Sequence, residues 1–240
     1  MKSTHINNNT RPLIFLGTSA NMTKLVDICD QAGIKIAGII DNDYYGNTKF
    51  IQGIPVIDSE ENINQYQDCN FFCAVNWLPA NDPVLVRNRD KRKRLIDLID
   101  SKELNCISLV DSYSRVSSTA TIGRGVYIDA FVLVESLAEI HDYVSIYAYT
   151  GIGHHTIVER NTVIQRHCSI AGGCVFEHDT FIGTAVKALK TNAVFGFNTF
   201  IHEGIYIRRG TIPDEIVSLN GGNRSRVYNL AEDTQFTQEG

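Results

Sequence analysis

Residues 140–164 read IHDYVSIYAYTGIGHHTIVERNTVI, and every sixth residue of this stretch is Ile140, Ile146, Ile152, Val158 or Ile164. The spacing runs back through Val134, Ile128, Ile122 and Val116, and forward through Ile170, Phe176 and Ile182. Four residues after each lies a small or β-branched one: Ala120, Val126, Val132, Ala138, Val144, Thr150, Thr156, Thr162, Cys168, Cys174, Thr180 and Val186. Neither the 3.6-residue period of a helix nor the two-residue alternation of a strand produces a strict period of six. A triangular coil does. Each hexad makes one flat face and one corner, the large apolar residue points inward, and the smaller one fills the space beside it. Three hexads close one turn, and successive turns stack as parallel strands.

After Lys187 the phase slips by one residue. Leu189, Phe195, Ile201 and Ile207 continue it, with Ala193, Thr199, Ile205 and Thr211 at the second position. One inserted residue near Ala188 accounts for the slip. The coil is expected to reach about residue 212, roughly five turns, and the chain leaves it at Pro213.

The first half of the chain has a different pattern. Leu13 to Leu16 is a short apolar run, followed by a turn at Gly17-Thr18-Ser19-Ala20-Asn21. Leu25, Ile28, Cys29 and Ala32 then follow a helical spacing that stops at Gly33. Ile34 to Ile40, Phe71 to Val75 and Cys106 to Val110 read as strands, and Arg87 to Leu104 as a charged helix. Strands alternating with helices imply a parallel sheet. The expected organisation is a polar, flexible start over 1–11, an α/β domain over 12–112, the coil domain over 113–228, and a polar tail over 229–240.

The 240 residues are 43% hydrophobic and 20% charged, ordinary for a soluble globular protein. A net charge of -5 argues against nucleic acid as a partner. No stretch approaches the ~20 apolar residues that span a bilayer, and Leu13 to Leu16 is too short for a signal-peptide core. These features predict a cytoplasmic protein with no membrane partner. The six cysteines follow no zinc spacing and are expected as buried free thiols. The basic run Arg87, Arg89, Lys91, Arg92, Lys93 and Arg94 turns acidic at Asp97, Asp100 and Glu103, which reads as a solvated helix face.

These features together resemble the sugar acetyltransferases of the hexapeptide-repeat family, of the sialic acid O-acetyltransferase and UDP-amino-sugar N-acetyltransferase type. Ile212-Pro213-Asp214 followed by Gly222-Asn223-Arg224 is similar to that family's exit from the coil, with Arg224 where a proline is common. The resemblance implies an N-terminal Rossmann-like parallel-sheet domain followed by a left-handed parallel β-helix. It also implies an acetyl-CoA-dependent N-acetyltransferase that acts on a nucleotide-linked amino sugar, as a homotrimer with its active site between subunits, and without a metal. Face residues such as Phe131, Tyr149 and Phe181 supply apolar surface for that assembly. O-acetylation of a sugar, as in the sialic acid branch, is the alternative within the fold. A catalytically silent sugar-nucleotide scaffold is the alternative from another class.

The family's general base is a histidine at the third place of a hexad, here His154 in Ile152-Gly153-His154-His155. A neutral imidazole suits proton removal near pH 7, a backbone N–H can hold the developing oxyanion, and the thioester itself supplies the activation. His155 stands where the family has a carboxylate, so the orienting partner is His155 or Glu159. His178, in Glu177-His178-Asp179, is the rival base, but it lies closer to the exit than the family's base does. Ala171, Gly172 and Gly173 match the segment that lines the thioester end of the coenzyme channel, and Gly183 and Thr184 are further cofactor candidates. Gly172 follows His154 by three whole hexads, so the repeat alone stacks one on the other. Without Cβ atoms, Gly172 and Gly173 would let a pantetheine arm approach the backbone.

In the first domain, the family's phosphate loop corresponds to Gly17, Ser19, Ala20 and Asn21, with Thr23 where a lysine is usual. Asp41, at the end of the second strand, matches an acidic residue suited to a ribose or base edge. His141, Glu159 and Glu177 stack at three-hexad intervals and read as a polar corner rather than a zinc site.

Overall fold

The computed structural model describes residues 11–76, 83–219 and 225–229. The polar start over 1–10, the tail over 230–240, and the exit residues Gly222, Asn223 and Arg224 lie outside the described residues. The chain divides into two compact units, with the boundary after Ser112.

The first unit is built on β1 (Leu13–Leu16), whose four side chains are fully buried. It pairs in parallel with β2 (Ile36–Ile40) on one side. On the other it pairs in parallel with β5 (Asn70–Cys73). A chain buried on both faces reads as a continuous apolar run, which is how β1 stands in the sequence. Helix α1 (Met22–Ala32) connects β1 to β2 and stops at Gly33, φ 67°, where Ile34 N–H bonds Cys29 O at 2.8 Å. The left-handed glycine satisfies carbonyls that the helix end leaves unpaired.

The sequence reading does not contain β3 (Phe50–Ile51) and β4 (Ile54–Asp58), an antiparallel hairpin closed by Gln52 and Gly53. Both turn residues have positive φ, at 48° and 84°, as a two-residue hairpin turn requires. The sheet order is β3-β4-β2-β1-β5. Helix α2 runs Pro83–Ser101 and buries Leu95, Ile96 and Ile99.

The basic run on α2 is a solvated face only in part: Arg89, Lys93 and Arg94 are exposed, Lys91 is half-buried and Arg92 is buried. Lys91 Nζ bonds Asp41 at 2.8 and 3.0 Å and Asp43 at 2.7 Å. Arg92 is buried and donates to Val75 O at 2.8 Å, and Arg94 pairs with Glu60. Lys91 and Arg92 need carboxylates and a carbonyl to receive them, and the segments just after β2 and β5 supply both, while Arg94 meets Glu60 of the short helix after β4. The sequence order of charges carries no information about those distant partners.

In the second unit each hexad forms a two-residue strand. Val134, Ile152, Ile170 and Ala188 pair in one column, each three hexads after the last. Ile128, Ile146, Ile164 and Ile182 form another, and Ile122, Ile140, Val158 and Phe176 the third. This stack of three parallel sheets fits a left-handed β-helix. From Val126 to Val186 every second-position residue is buried, so both columns fill the interior. Each buried branched residue contributes about 1.5–3 kcal/mol of hydrophobic free energy.

Corners follow the same count. A left-handed residue recurs every six positions from Gly125 through Phe131, Leu137, Tyr143, Tyr149, His155, Asn161, His167, Gly173 and Asp179 to Ala185. The next is Asn192, one place later than the period requires, followed by Asn198 and Gly204. Phe195 accordingly pairs with Phe176, one place more than three hexads before it, and their rings stack at 4.5 Å.

The extra residue therefore sits in the corner from Leu189 to Asn192, after Ala188. This corrects the placement of Leu189 in the inward column. Ala188 is 1% exposed and Leu189 40%. Two adjacent apolar residues both satisfied the pattern, and strand pairing chose the smaller. Phe181 is likewise only 4% exposed within its own chain and offers little outer surface, unlike Phe131 and Tyr149. Past the coil, Glu215–Leu219 pairs with Phe200–Ile201 in parallel and with Ser225–Asn229 antiparallel, extending one face.

Among the described residues no helix is long and apolar enough to cross a membrane. All six cysteines are free, and burial pushes the Cys168 thiol up to about 12.

Candidate active site

His154 occupies the corner between the strands Gly151–Ile152 and Ile157–Val158. The corner is held from the coil before it. Glu135 Oε2 accepts from His154 N–H at 2.9 Å, and Ser136 O accepts from His155 N–H at 3.1 Å. From the coil after it, Gly173 N–H donates to His154 O at 2.8 Å. These bonds offset the cost of the left-handed conformation at His155, φ 57°, about 1–2 kcal/mol for a residue with a Cβ.

The glycines explain the imidazole's position. A Cβ on Gly172 would lie 2.7 Å from both Cε1 and Nε2 of His154. The ring therefore lies against Gly172, as the three-hexad spacing predicts. A Cβ on Gly153 would meet the backbone N of Gly172 at 2.5 Å, so a side chain there would push the two coils apart. At Gly173, φ 72°, it would strike Asn192 Oδ1 at 2.0 Å. Packing within the chain by itself calls for glycine at both positions. The space freed by their missing Cβ atoms is taken by His154 and Asn192 of the same chain.

His155 touches His154. The two Nδ1 atoms are 3.0 Å apart and the rings meet edge-on at 90°. Glu159 takes no part in this corner. It lies on the next edge, where its Oε2 accepts from His178 N–H at 3.1 Å. The rival histidine has its own partner there, with His178 Nδ1 2.8 Å from Asp179 Oδ2 and its ring stacked on Phe197 at 5.2 Å. Ala171 is half-buried beside Gly172, and its carbonyl accepts from Thr156 Oγ1 at 3.2 Å.

Gly183 and Thr184 begin a corner on a third edge, two hexads beyond Ala171, so the coil does not bring them to His154. Gly183 is required by packing, since a Cβ would lie 2.6 Å from Glu203 N. The stacked residues His141, Glu159 and Glu177 diverge. His141 faces Glu139 at 3.6 Å, and Glu177 accepts from Phe197 N–H at 2.8 Å. Among the described residues no three His, Cys, Asp or Glu side chains come together to hold a metal ion.

In the first unit, the loop after β1 opens with Gly17, φ 72°, where a Cβ would strike Val75 Cγ2 at 2.3 Å. Ser19 Oγ accepts from Asn21 N–H at 3.3 Å, Ala20 is exposed, and Asn21 precedes α1 without a side-chain cap. Gln52, from the unforeseen hairpin, braces this loop. It accepts from Thr23 N–H at 3.2 Å and donates to Ser19 O at 3.5 Å.

Asp41 is fully buried and both its oxygens are bonded by Lys91. It therefore reaches a ligand only where Lys91 yields. Burial lowers the Lys91 ammonium, but the Asp41 and Asp43 carboxylates outweigh that and hold it above the ordinary lysine range. The tie of Lys91 to Asp41 and the brace from Gln52 escaped the sequence reading because neither residue is near its partner in sequence.

No protein-family model and no curated protein sequence matches the chain. Solved structures do match it. One is a mutant perosamine N-acetyltransferase from Caulobacter crescentus in complex with CoA and GDP-perosamine, at TM-score 0.75 and 16% identity over 91% of this chain and 97% of that one. Another is the acetyltransferase domain of PglB from Neisseria gonorrhoeae in complex with acetyl coenzyme A, at 0.74 and 18%, covering 91% of this chain and all of the other. WeeI from Acinetobacter baumannii matches at 0.75 and 16% with the same coverage. At these identities the likeness establishes the fold, an α/β unit joined to a parallel β-helix, which this chain shares with solved sugar acetyltransferases.

Proposed function

We propose that the protein is an acetyl-CoA-dependent N-acetyltransferase acting on the amino group of a nucleotide-linked amino sugar. The observation that carries this reading is the imidazole of His154 lying on Gly172, with Nδ1 engaged by His155. Solved structures similar to this chain include proteins bound to CoA, acetyl-CoA and GDP-perosamine, which supports the choice of donor and acceptor class.

In this reading His154 Nε2 takes a proton from the sugar amine as its nitrogen attacks the thioester carbonyl carbon. A C–N bond forms, the C–S bond breaks, and the thiolate leaves. Ala171, Gly172 and Gly173 line the approach of the coenzyme arm, with Gly183 and Thr184 contacting more distant parts of it. The α/β unit, read as Rossmann-like, seats the nucleotide through Gly17, Ser19, Ala20 and Asn21, and Asp41 contributes through Lys91.

The assembly is a cytoplasmic homotrimer with its active sites between subunits, and Phe131 and Tyr149 lie in the contacts. A light-scattering mass of about one chain would overturn the trimer. Thiol release measured over a panel of UDP-, dTDP- and GDP-linked amino sugars tests the activity. Release with an amino sugar and none with its hydroxy counterpart separates N- from O-transfer. Absence of release with every acceptor refutes the enzyme reading and leaves the scaffold.

A further inference from the structure

The bond between the two corner histidines restricts how His154 can act, and this inference rests on the reading of His154 as the base. At 3.0 Å the Nδ1 atoms share a single hydrogen, which belongs to one ring or the other. If His155 donates, His154 Nδ1 is the acceptor and its one proton sits on Nε2, where no lone pair is left to remove a proton. If His154 donates, Nε2 is bare. We propose that His155 is the positioning residue of the site, a neutral acceptor in place of a carboxylate, and that transfer proceeds only with the shared proton on His154.

The charge balance of the corner follows from this. A carboxylate only accepts, so it enforces the working tautomer and stabilises the imidazolium that forms on proton removal. An uncharged imidazole does neither by itself. One proton added to either ring silences the pair. On His154 it occupies Nε2; on His155 it makes Nδ1 a donor and drives the remaining proton of His154 to Nε2. Glu135 of the preceding coil is bound to the His154 backbone N–H, and Ser136, Gly172, Gly173 and Asn192 contribute no charge from the adjoining coils.

The chain also builds the carboxylate version. At the His178 corner, Asp179 takes the equivalent left-handed position, φ 59°, with Oδ2 2.8 Å from His178 Nδ1. An aspartate therefore fits this corner geometry, and Ala185 shows that alanine does as well, φ 60°. Both His155→Asp and His155→Ala are compatible with the fold.

The test is the pH dependence of thiol release by the full-length protein with its acceptor sugar, for wild type, His155→Asp, His155→Ala and His154→Ala. His155→Asp is expected to hold kcat within about threefold while the acidic limb of kcat/KM moves up by about one pH unit or more. His155→Ala is expected to lower kcat about tenfold or more, with KM for acetyl-CoA unchanged. Nitrogen-15 histidine spectra of the wild type are expected to show His154 Nε2 without a proton at the working pH.

An unchanged profile in both His155 variants, or a proton on His154 Nε2, overturns the proposal. Loss of activity in His154→Ala alongside indifferent His155 variants sinks this inference alone. Full turnover by His154→Ala sinks the reading of His154 as base as well.

Discussion

Two corners of the coil carry the same device and differ in what lies next to it. At both, a glutamate from the preceding coil accepts from the histidine backbone N–H: Glu135 for His154 and Glu159 for His178. At both, the following residue is left-handed and meets the histidine Nδ1. His178 even has the more conventional carboxylate partner. Its ring, however, is stacked on Phe197 at 7° from the next coil. The ring of His154 lies against Gly172, where the next coil has no side chain at all. A histidine paired at Nδ1 is thus insufficient to mark a site on this scaffold. What separates the two rings is the residue one coil further on.

The widest separation between the corners is expected from removing the histidines. His154→Ala should lower kcat by about 10²–10⁴-fold, the range of a lost general base, while His178→Ala leaves thiol release near wild type. The reverse outcome would exchange the roles of the two corners.

Next in size is the neighbour on the following coil. Gly172→Ala places a Cβ within 2.7 Å of a ring that can swing aside, so the fold persists and the His154 imidazole is displaced. Activity should fall by about 10²-fold, as for a catalytic group shifted by an ångström, with an unchanged circular dichroism spectrum. Phe197→Ala, the counterpart at His178, should cost stability instead, by about 1 kcal/mol for the lost ring contact.

A smaller effect is expected from the glutamates. Glu135→Gln and Glu159→Gln each weaken one charge-assisted bond to a backbone N–H, by about 1 kcal/mol in thermal unfolding. Only the first should also change kcat.

The least effect is expected outside both corners. Because the carboxylates raise Lys91 in the folded state, its ion pair is at full strength below the ordinary lysine value of 10.5 and is lost as pH climbs through the raised value. Stability of the first unit should therefore decline above about pH 10. In Lys91→Met that alkaline decline should be shallower, on a protein already weaker at neutral pH.

How much of this was readable in advance varied with the range of the interaction. Stacking of His154 on Gly172 is a count of three hexads, and the coil obeys it through successive strands of that face. The inserted residue was detected but misplaced, because Ala188 and Leu189 both fit an apolar pattern and only pairing with Ile170 separates them. The β3–β4 hairpin was missed for lack of length, since β3 holds only Phe50 and Ile51. The ties of Lys91 to Asp41 and of Arg94 to Glu60 join a helix to residues 50 and 34 positions away, and no period in the chain encodes them.

The sequence by itself determined the coil, its period and the height at which each side chain stands, because a strict repeat turns residue number into position along an axis. Only the tertiary structure decided what each corner histidine faces, which residue fills the space above each glycine, and that Asp41 is held by Lys91. Those outcomes depend on side chains from separate coils or distant strands competing for the same small space, and that competition is settled by packing rather than by order along the chain.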